Sequence, residues 1–170
     1  MGPTTSGRDK PFAYTQRFYA HLGCFYAVWS ATELNIDWAI GKILKLSHEQ
    51  THVLVASMQF GRKAALLRSL LPKSDYANAS EIKGFLTRIR KESLRNVFSH
   101  SFIASGADSV TFIHRSSQDE YSATGYRFEA DDFITHCNNF VQLADDFQKA
   151  LGVSHAEREQ FFKAALPPKT

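Results

Sequence analysis

Cysteine is nearly absent: Cys24 and Cys137 are the only two, far apart in apolar helical patterns. That leaves no disulfide framework, and the pair reads as two buried free thiols in a reducing cytoplasm. No apolar run approaches the roughly 20 residues of a membrane span. The opening Met1-Gly2-Pro3-Thr4-Thr5-Ser6-Gly7 lacks the apolar core of a secretory leader. The expected location is therefore cytoplasmic, with no membrane partner. Residues 1–12 read as a flexible tail, 13–166 as one domain and 167–170 as a second short tail. No internal repeat or low-complexity block is present. Neither sign of charge dominates, since 20 Lys and Arg against 17 Asp and Glu leave +3. That balance permits a nucleic-acid partner without demanding one.

What is present is the composition of a soluble globular chain, 44% hydrophobic and 22% charged over 170 residues, enough for one ordinary core. From about Tyr14 to Leu46, Phe18, Leu22, Phe25/Tyr26, Trp29, Leu34, Trp38 and Ile43/Leu44 recur at helical steps. This predicts one long helix or two broken ones. Gly23 and Gly41 weaken it locally. Ser47-His48-Glu49-Gln50 is a capping box. It opens a second helix to about Leu71, with Val53/Leu54, Ser57, Phe60, Ala64 and Leu67 as its apolar stripe and Pro72 as its stop. Asn78-Ala79-Ser80-Glu81 reads as another capping box. The third helix that follows carries Ile82, Phe85/Leu86, Ile89 and Val97 inward.

The pattern then changes. Gly106-Ala107-Asp108 is turn chemistry, Val110-Thr111-Phe112-Ile113 is β-branched and aromatic, 115–120 is polar, and Tyr121 to Phe128 alternates weakly. A small antiparallel hairpin is expected. From Asp131 or Asp132 an amphipathic helix runs to Leu151, with Phe133, Cys137, Phe140, Ala144, Phe147 and Leu151 on one face. Ser154-His155-Ala156-Glu157 caps a short last helix that ends before Pro167-Pro168. The expected fold is all-α, an up-down bundle of four to five helices with a small hairpin after the third.

Two motifs compete for the chemistry. His48-Glu49-Gln50-Thr51-His52 matches H-E-x-x-H, whose spacing sets two imidazoles on one helix face with a glutamate as base. Its context argues against zinc. His48 falls in an exposed first turn and the spacers are polar. Val55 and Met58 stand where the extended pattern needs glycine and histidine. The plainer reading is two polar residues at a helix start, so no metal and no cofactor are expected.

The second motif is Arg95-Asn96-Val97-Phe98-Ser99-His100. Arginine stays charged at any useful pH and stabilises anions. Histidine gives and takes protons near neutrality. At about 100° per residue, Arg95, Ser99, Asn96 and His100 fall at roughly 0°, 40°, 100° and 140°, on one side of the helix. The chain's one basic concentration, Lys83, Arg88, Arg90, Lys91 and Arg95, leads into it. A solvated helix face explains that cluster equally well. The other histidines, His21, His114, His136 and His155, have no evident partners and read as structural or surface residues.

Arg-Asn-x-x-x-His at a helix end in a helical chain resembles the HEPN superfamily. Thr32-Glu33-Leu34 in the first helix, and Phe60-Gly61-Arg62-Lys63 with Leu66-Leu67 in the second, look like the helices preceding that motif in bacterial members. The resemblance spans about residues 15–151. Ser101 stands where many members have glycine. The resemblance implies a metal-independent endoribonuclease of toxin or phage-defence type. His100 would act as acid or base at the 2′-OH and the leaving 5′-oxygen. Arg95 would hold the scissile phosphate, and Asn96 would orient the histidine or the phosphate. Ser99, Glu33, Arg90 and Lys91 are the secondary candidates for substrate contact. The implied partners are RNA, a second copy of the chain with the motif at the interface, and an antitoxin or inhibitor protein. The alternative is a catalytically silent HEPN-like module that binds RNA, a nucleotide or a protein.

Overall fold

The computed structural model describes residues 9–106, 108–116 and 121–166. Along them run α1 (Asp9–Leu44), α2 (His48–Val55), α3 (Phe60–Leu70), a 3₁₀ turn (Leu71–Lys73), α4 (Ala79–Glu92) and α5 (Arg95–His100). Then come β1 (Ser101–Ser105), β2 (Ser109–Ser116), β3 (Ser122–Glu129), α6 (Ala130–Leu151) and α7 (His155–Ala164). The chain is thus mainly helical with a small antiparallel sheet. No helix among the described residues is long and apolar enough to cross a membrane.

Two of the expected helices are each split, so the predicted bundle of four to five has too few pieces. The segment after Ser47 breaks at 56–59 into α2 and α3. The break rotates its stripe: Val55 is buried while Val53 is 81% exposed and Leu54 also faces solvent, against the expected core positions. The segment after Asn78 breaks at Ser93 and Leu94 into α4 and α5. By contrast, the first helix is unbroken and begins at Asp9, inside the stretch read as tail; residues 1–8 and 167–170 lie outside the described part.

The chain packs as two compact units. One takes α1 up to Tyr26 together with Ser93–Phe140. Its core is aromatic: Phe18, Phe25, Phe98, Phe112, Phe133 and Phe140 are all buried. The expected hairpin is two strands of a three-stranded sheet, ordered β1-β2-β3. Ser101 pairs with His114 and Ile103 with Phe112, then Phe112 with Tyr126 and Val110 with Phe128. The turn into β2 is closed by the Gly106 N–H donating to the Ser109 carbonyl at 2.8 Å; the turn's Ala107, and 117–120 of the polar stretch, lie outside the described residues. Alternation puts Val110 and Phe112 in the core. The first strand carries little apolar content facing the core, which is why its five residues escape a pattern-based reading.

The other unit takes Ala27–Glu92 with the chain from Val141. Here Ile36, Ala39, Ile40, Leu67, Leu71, Ile82, Leu86, Ile89, Phe147 and Phe161 are buried. Trp29 packs on Phe60 with ring centroids 4.7 Å apart. Both capping boxes at Ser47 and Ser154 form, each hydroxyl accepting the backbone N–H three residues on. Asn78 behaves differently. Its amide donates to the Ala150 carbonyl at 2.8 Å and to the Glu81 carboxylate at 3.3 Å, so it ties α4 to α6.

Candidate functional site

Leu94 determines where the motif helix begins. Its backbone sits at φ 54° and ψ 21°, in the left-handed region. A branched side chain there costs on the order of 1–2 kcal/mol. The turn it makes is held on both sides. The Ser93 hydroxyl accepts the Arg95 N–H at 3.4 Å, and the Leu94 carbonyl accepts the Phe98 N–H at 3.0 Å. His136 Nε2 donates to the Ser93 carbonyl at 3.2 Å. Burial holds the His136 ring below the usual imidazole value, with that hydrogen bond acting in the opposite direction. His136 is therefore a structural histidine, as expected, and its place is at the turn before the motif.

The motif occupies all of α5 rather than the end of a longer helix, which corrects the sequence expectation. Helical spacing divides it into two faces. Val97 and Phe98 are buried. The Phe98 ring lies 4.6 Å from Phe112, 5.0 Å from Phe25 and 5.7 Å from Phe133, centroid to centroid. On the opposite face Asn96 and His100 are exposed, and Arg95 and Ser99 are half-buried. Ser99 is tied to the first helix through its hydroxyl, 3.2 Å from the Tyr26 phenol oxygen. Tyr26 reads in the sequence as an apolar core position, and only the fold shows this polar use. An exposed imidazole and amide with a guanidinium one turn away can together hold an anion and move a proton near neutrality.

The secondary candidates Glu33, Arg90 and Lys91 belong to the other unit. Arg90 and Lys91 are exposed in the last turn of α4. The basic concentration there is partly neutralised, because Arg88 donates to both carboxylate oxygens of Glu92 at 3.1 Å. Glu33 is half-buried, one turn before Asp37. Asp37 receives Lys63 Nζ at 2.7 Å. Burial pushes the Asp37 carboxyl above its ordinary value, Lys63 draws it down, and the Glu33 charge pushes it further up.

The H-E-x-x-H residues are structural. His52 Nε2 donates to the Phe161 carbonyl at 2.8 Å and its ring stacks on Phe161 at 4.1 Å. His48 meets the same ring edge-on at 5.3 Å. Glu49 accepts the Ser47 hydroxyl at 2.9 Å. The two histidines are half-buried rather than exposed, and they dock α2 on α7. Among the described residues no group of three or more His, Cys, Asp or Glu is placed to hold a metal ion. The thiols also differ from expectation: both are free, Cys137 is buried, but Cys24 is exposed, on the outer side of α1.

Two residues near the motif, His114, which the sequence reads as structural or surface, and Ser101, carry buried polar atoms. Ser101, directly after His100, faces His114 across the β1–β2 ladder. Ser101 Oγ and His114 Nδ1 are both buried with no hydrogen-bond partner among the described residues. The pairing arises from β1, whose existence the sequence does not announce, so no sequence signal marks it. No family model matches the chain, and comparison with curated proteins and with solved structures gives no match either.

Proposed function

We propose that the chain is a HEPN-like, metal-independent endoribonuclease of toxin or phage-defence type. Arg95 binds the scissile phosphate and offsets its developing charge, and His100 transfers a proton. Asn96 orients the histidine or the phosphate. The single observation that supports this best is the division of α5: Phe98 anchors the helix in an aromatic core while His100 and Asn96 stand in solvent within one turn of Arg95. Phe98 so packed fixes where the polar face of α5 stands, and proton transfer requires a defined geometry. The substrate is RNA, since its 2′-OH supplies the nucleophile and a metal-bound water is not needed. A two-fold dimer with α5 at its interface is the proposed assembly, and an antitoxin or inhibitor protein is the proposed partner in the cell.

The test is the purified chain incubated with total RNA in EDTA. Wild type should leave 2′,3′-cyclic phosphate ends, and His100→Ala and Arg95→Ala should abolish cleavage with the circular dichroism spectrum retained. Intact RNA throughout, with salt-sensitive binding, would replace the nuclease by a silent binding module. Cleavage lost on adding EDTA would replace it by a metal enzyme.

A further inference from the structure

We infer that His114 is the second proton-transfer group of the site, so that one chain carries both imidazoles. The inference rests on the reading of Arg95 and His100 as a phosphodiester-cleaving pair. It comes from the sheet register. Ser101 and His114 are direct partners in the antiparallel ladder. Cα atoms opposite one another in such a ladder are about 4.5–5.5 Å apart, and consecutive Cα atoms about 3.8 Å. The Cα atoms of His100 and His114 are therefore no more than roughly 9 Å apart, within reach of two side chains contacting one phosphodiester.

The face is also right. His114 lies two residues beyond Phe112 on β2, so both share one side of the sheet. That side is the one on which α5 packs, through Phe98 against Phe112. Arg115, the next residue, goes to the other side, where its guanidinium lies over the Phe102 ring at 3.9 Å. His114 thus lies on the α5 side of the sheet, beside the end of the helix that carries His100.

Its ring is oriented for proton transfer. Nδ1 is buried and unpartnered while the residue as a whole is only half-buried. Nδ1 therefore points inward and the opposite edge, with Nε2, outward. Ser101 Oγ, also buried and unpartnered, belongs to the residue directly across the ladder from it. A buried polar atom left unpaired costs on the order of 1–3 kcal/mol, so a hydrogen bond between the two would satisfy both. It would hold the ring from behind, leaving Nε2 for substrate.

Two imidazoles balance the reaction without a second copy. One takes the 2′-OH proton as the 2′-oxygen bonds to phosphorus. The other, as imidazolium, gives its proton to the 5′-oxygen as that P–O bond breaks. A cyclic phosphate and a free 5′-OH result, and solvent exchange restores both rings.

The test uses full-length protein and three variants, His100→Ala, His114→Gln and His114→Ala. Gln keeps roughly the ring's length and a polar group near the Nε2 position but cannot relay a proton. His114→Gln should fold, with an unchanged thermal transition, and cleave a uridylyl dinucleotide about 10²–10⁴-fold more slowly. Added imidazole should restore part of the rate in His114→Ala. A 4-nitrophenyl ester of uridine 3′-phosphate needs no protonated leaving group, so one of the two histidine variants should cleave it at nearly the wild-type rate. Mixing His100→Ala with His114→Gln should restore nothing if both rings serve one chain's site. Restored activity on mixing would overturn the single-chain site. If His114→Gln cleaves like wild type while His100→Ala is dead, His114 has no such role and the nuclease reading stands. If wild type cleaves neither RNA nor the ester, the nuclease reading falls and this inference with it.

Discussion

Phe98 and Phe112 meet at 4.6 Å between ring centroids, two residues before His100 and two before His114. The contact sits between the helix that carries the motif and the strand behind it. Phe98 also touches Phe25, Phe133 and the His136 ring. Replacing it by alanine opens a cavity among rings that are themselves held on several sides, so the expected loss is about 3–5 kcal/mol. Phe98→Leu keeps most of the volume and should lose much less. Urea unfolding followed by circular dichroism measures both. A Phe98→Ala loss near zero would mean that α5 is not anchored as described.

Gly41 packs against Thr51, with no room for a methyl group. A Cβ built there overlaps Thr51 Oγ1 and comes within 2.9 Å of its Cγ2. Thr51 cannot turn away freely, because its hydroxyl donates to the Ser47 carbonyl at 2.8 Å. Gly41→Ala, ordinarily favourable in a helix, should therefore destabilise by about 1–3 kcal/mol. The same change in a Thr51→Ala background should cost less than the sum of the two separately. A thermal melt of the four proteins in this cycle gives the coupling directly.

Lys45 offers the opposite case. It ends α1 at φ 55°, and the next N–H, from Leu46, donates back to the Gly41 carbonyl at 3.0 Å. This is a helix end that favours glycine at the left-handed position. Lys45→Gly removes about 1–2 kcal/mol of backbone cost and loses about half of it to unfolded-state freedom. A net gain of about 0.5–1 kcal/mol is expected. Lys45→Ala keeps the Cβ and should show no such gain in the same melt.

These examples show why some of the fold is legible in the sequence and some is not. Capping boxes at Ser47 and Ser154 involve four consecutive residues, and both form. The α6 face from Phe133 to Leu151 is long and periodic, and it is buried as read. The break at Leu94 has no glycine or proline to announce it. Its one local support is the Ser93 hydroxyl at the Arg95 N–H, and the burial of Phe98 among five other aromatic rings is a long-range reward that no window of sequence contains. The same holds for β1, whose partner His114 lies 13 positions from Ser101. At the site, residue types and helical spacing already assign Arg95, Asn96, Ser99 and His100 to one face. Tyr26 behind Ser99 and His114 behind Ser101 depend on chain crossings, and so were not legible.

Asp37 and Lys63 form the last test, one of acid stability. Their side chains are 8% and 12% exposed and 2.7 Å apart. Asp37 Oδ1 has no hydrogen-bond partner among the described residues. Burial is the largest influence on the Asp37 carboxyl and raises its pKa despite Lys63. The folded chain therefore holds this proton more tightly than the unfolded chain does. Between the ordinary aspartate value and the raised one, folding binds extra proton, so stability rises as pH falls through that window and is lower above it. This is the reverse of Glu157, whose bonds to Ser154 lower its pKa, so that its contribution is lost on acidification. Breaking the pair leaves a buried charge alone, and Lys63→Met should cost about 3–5 kcal/mol at neutral pH. Replacing both, as Asp37→Leu with Lys63→Met, should recover most of that loss. Urea unfolding across pH then isolates the effect. The stability difference between wild type and the double variant should shift in favour of wild type as pH falls toward the ordinary aspartate value. A difference independent of pH there would mean that Asp37 is not held above its usual range.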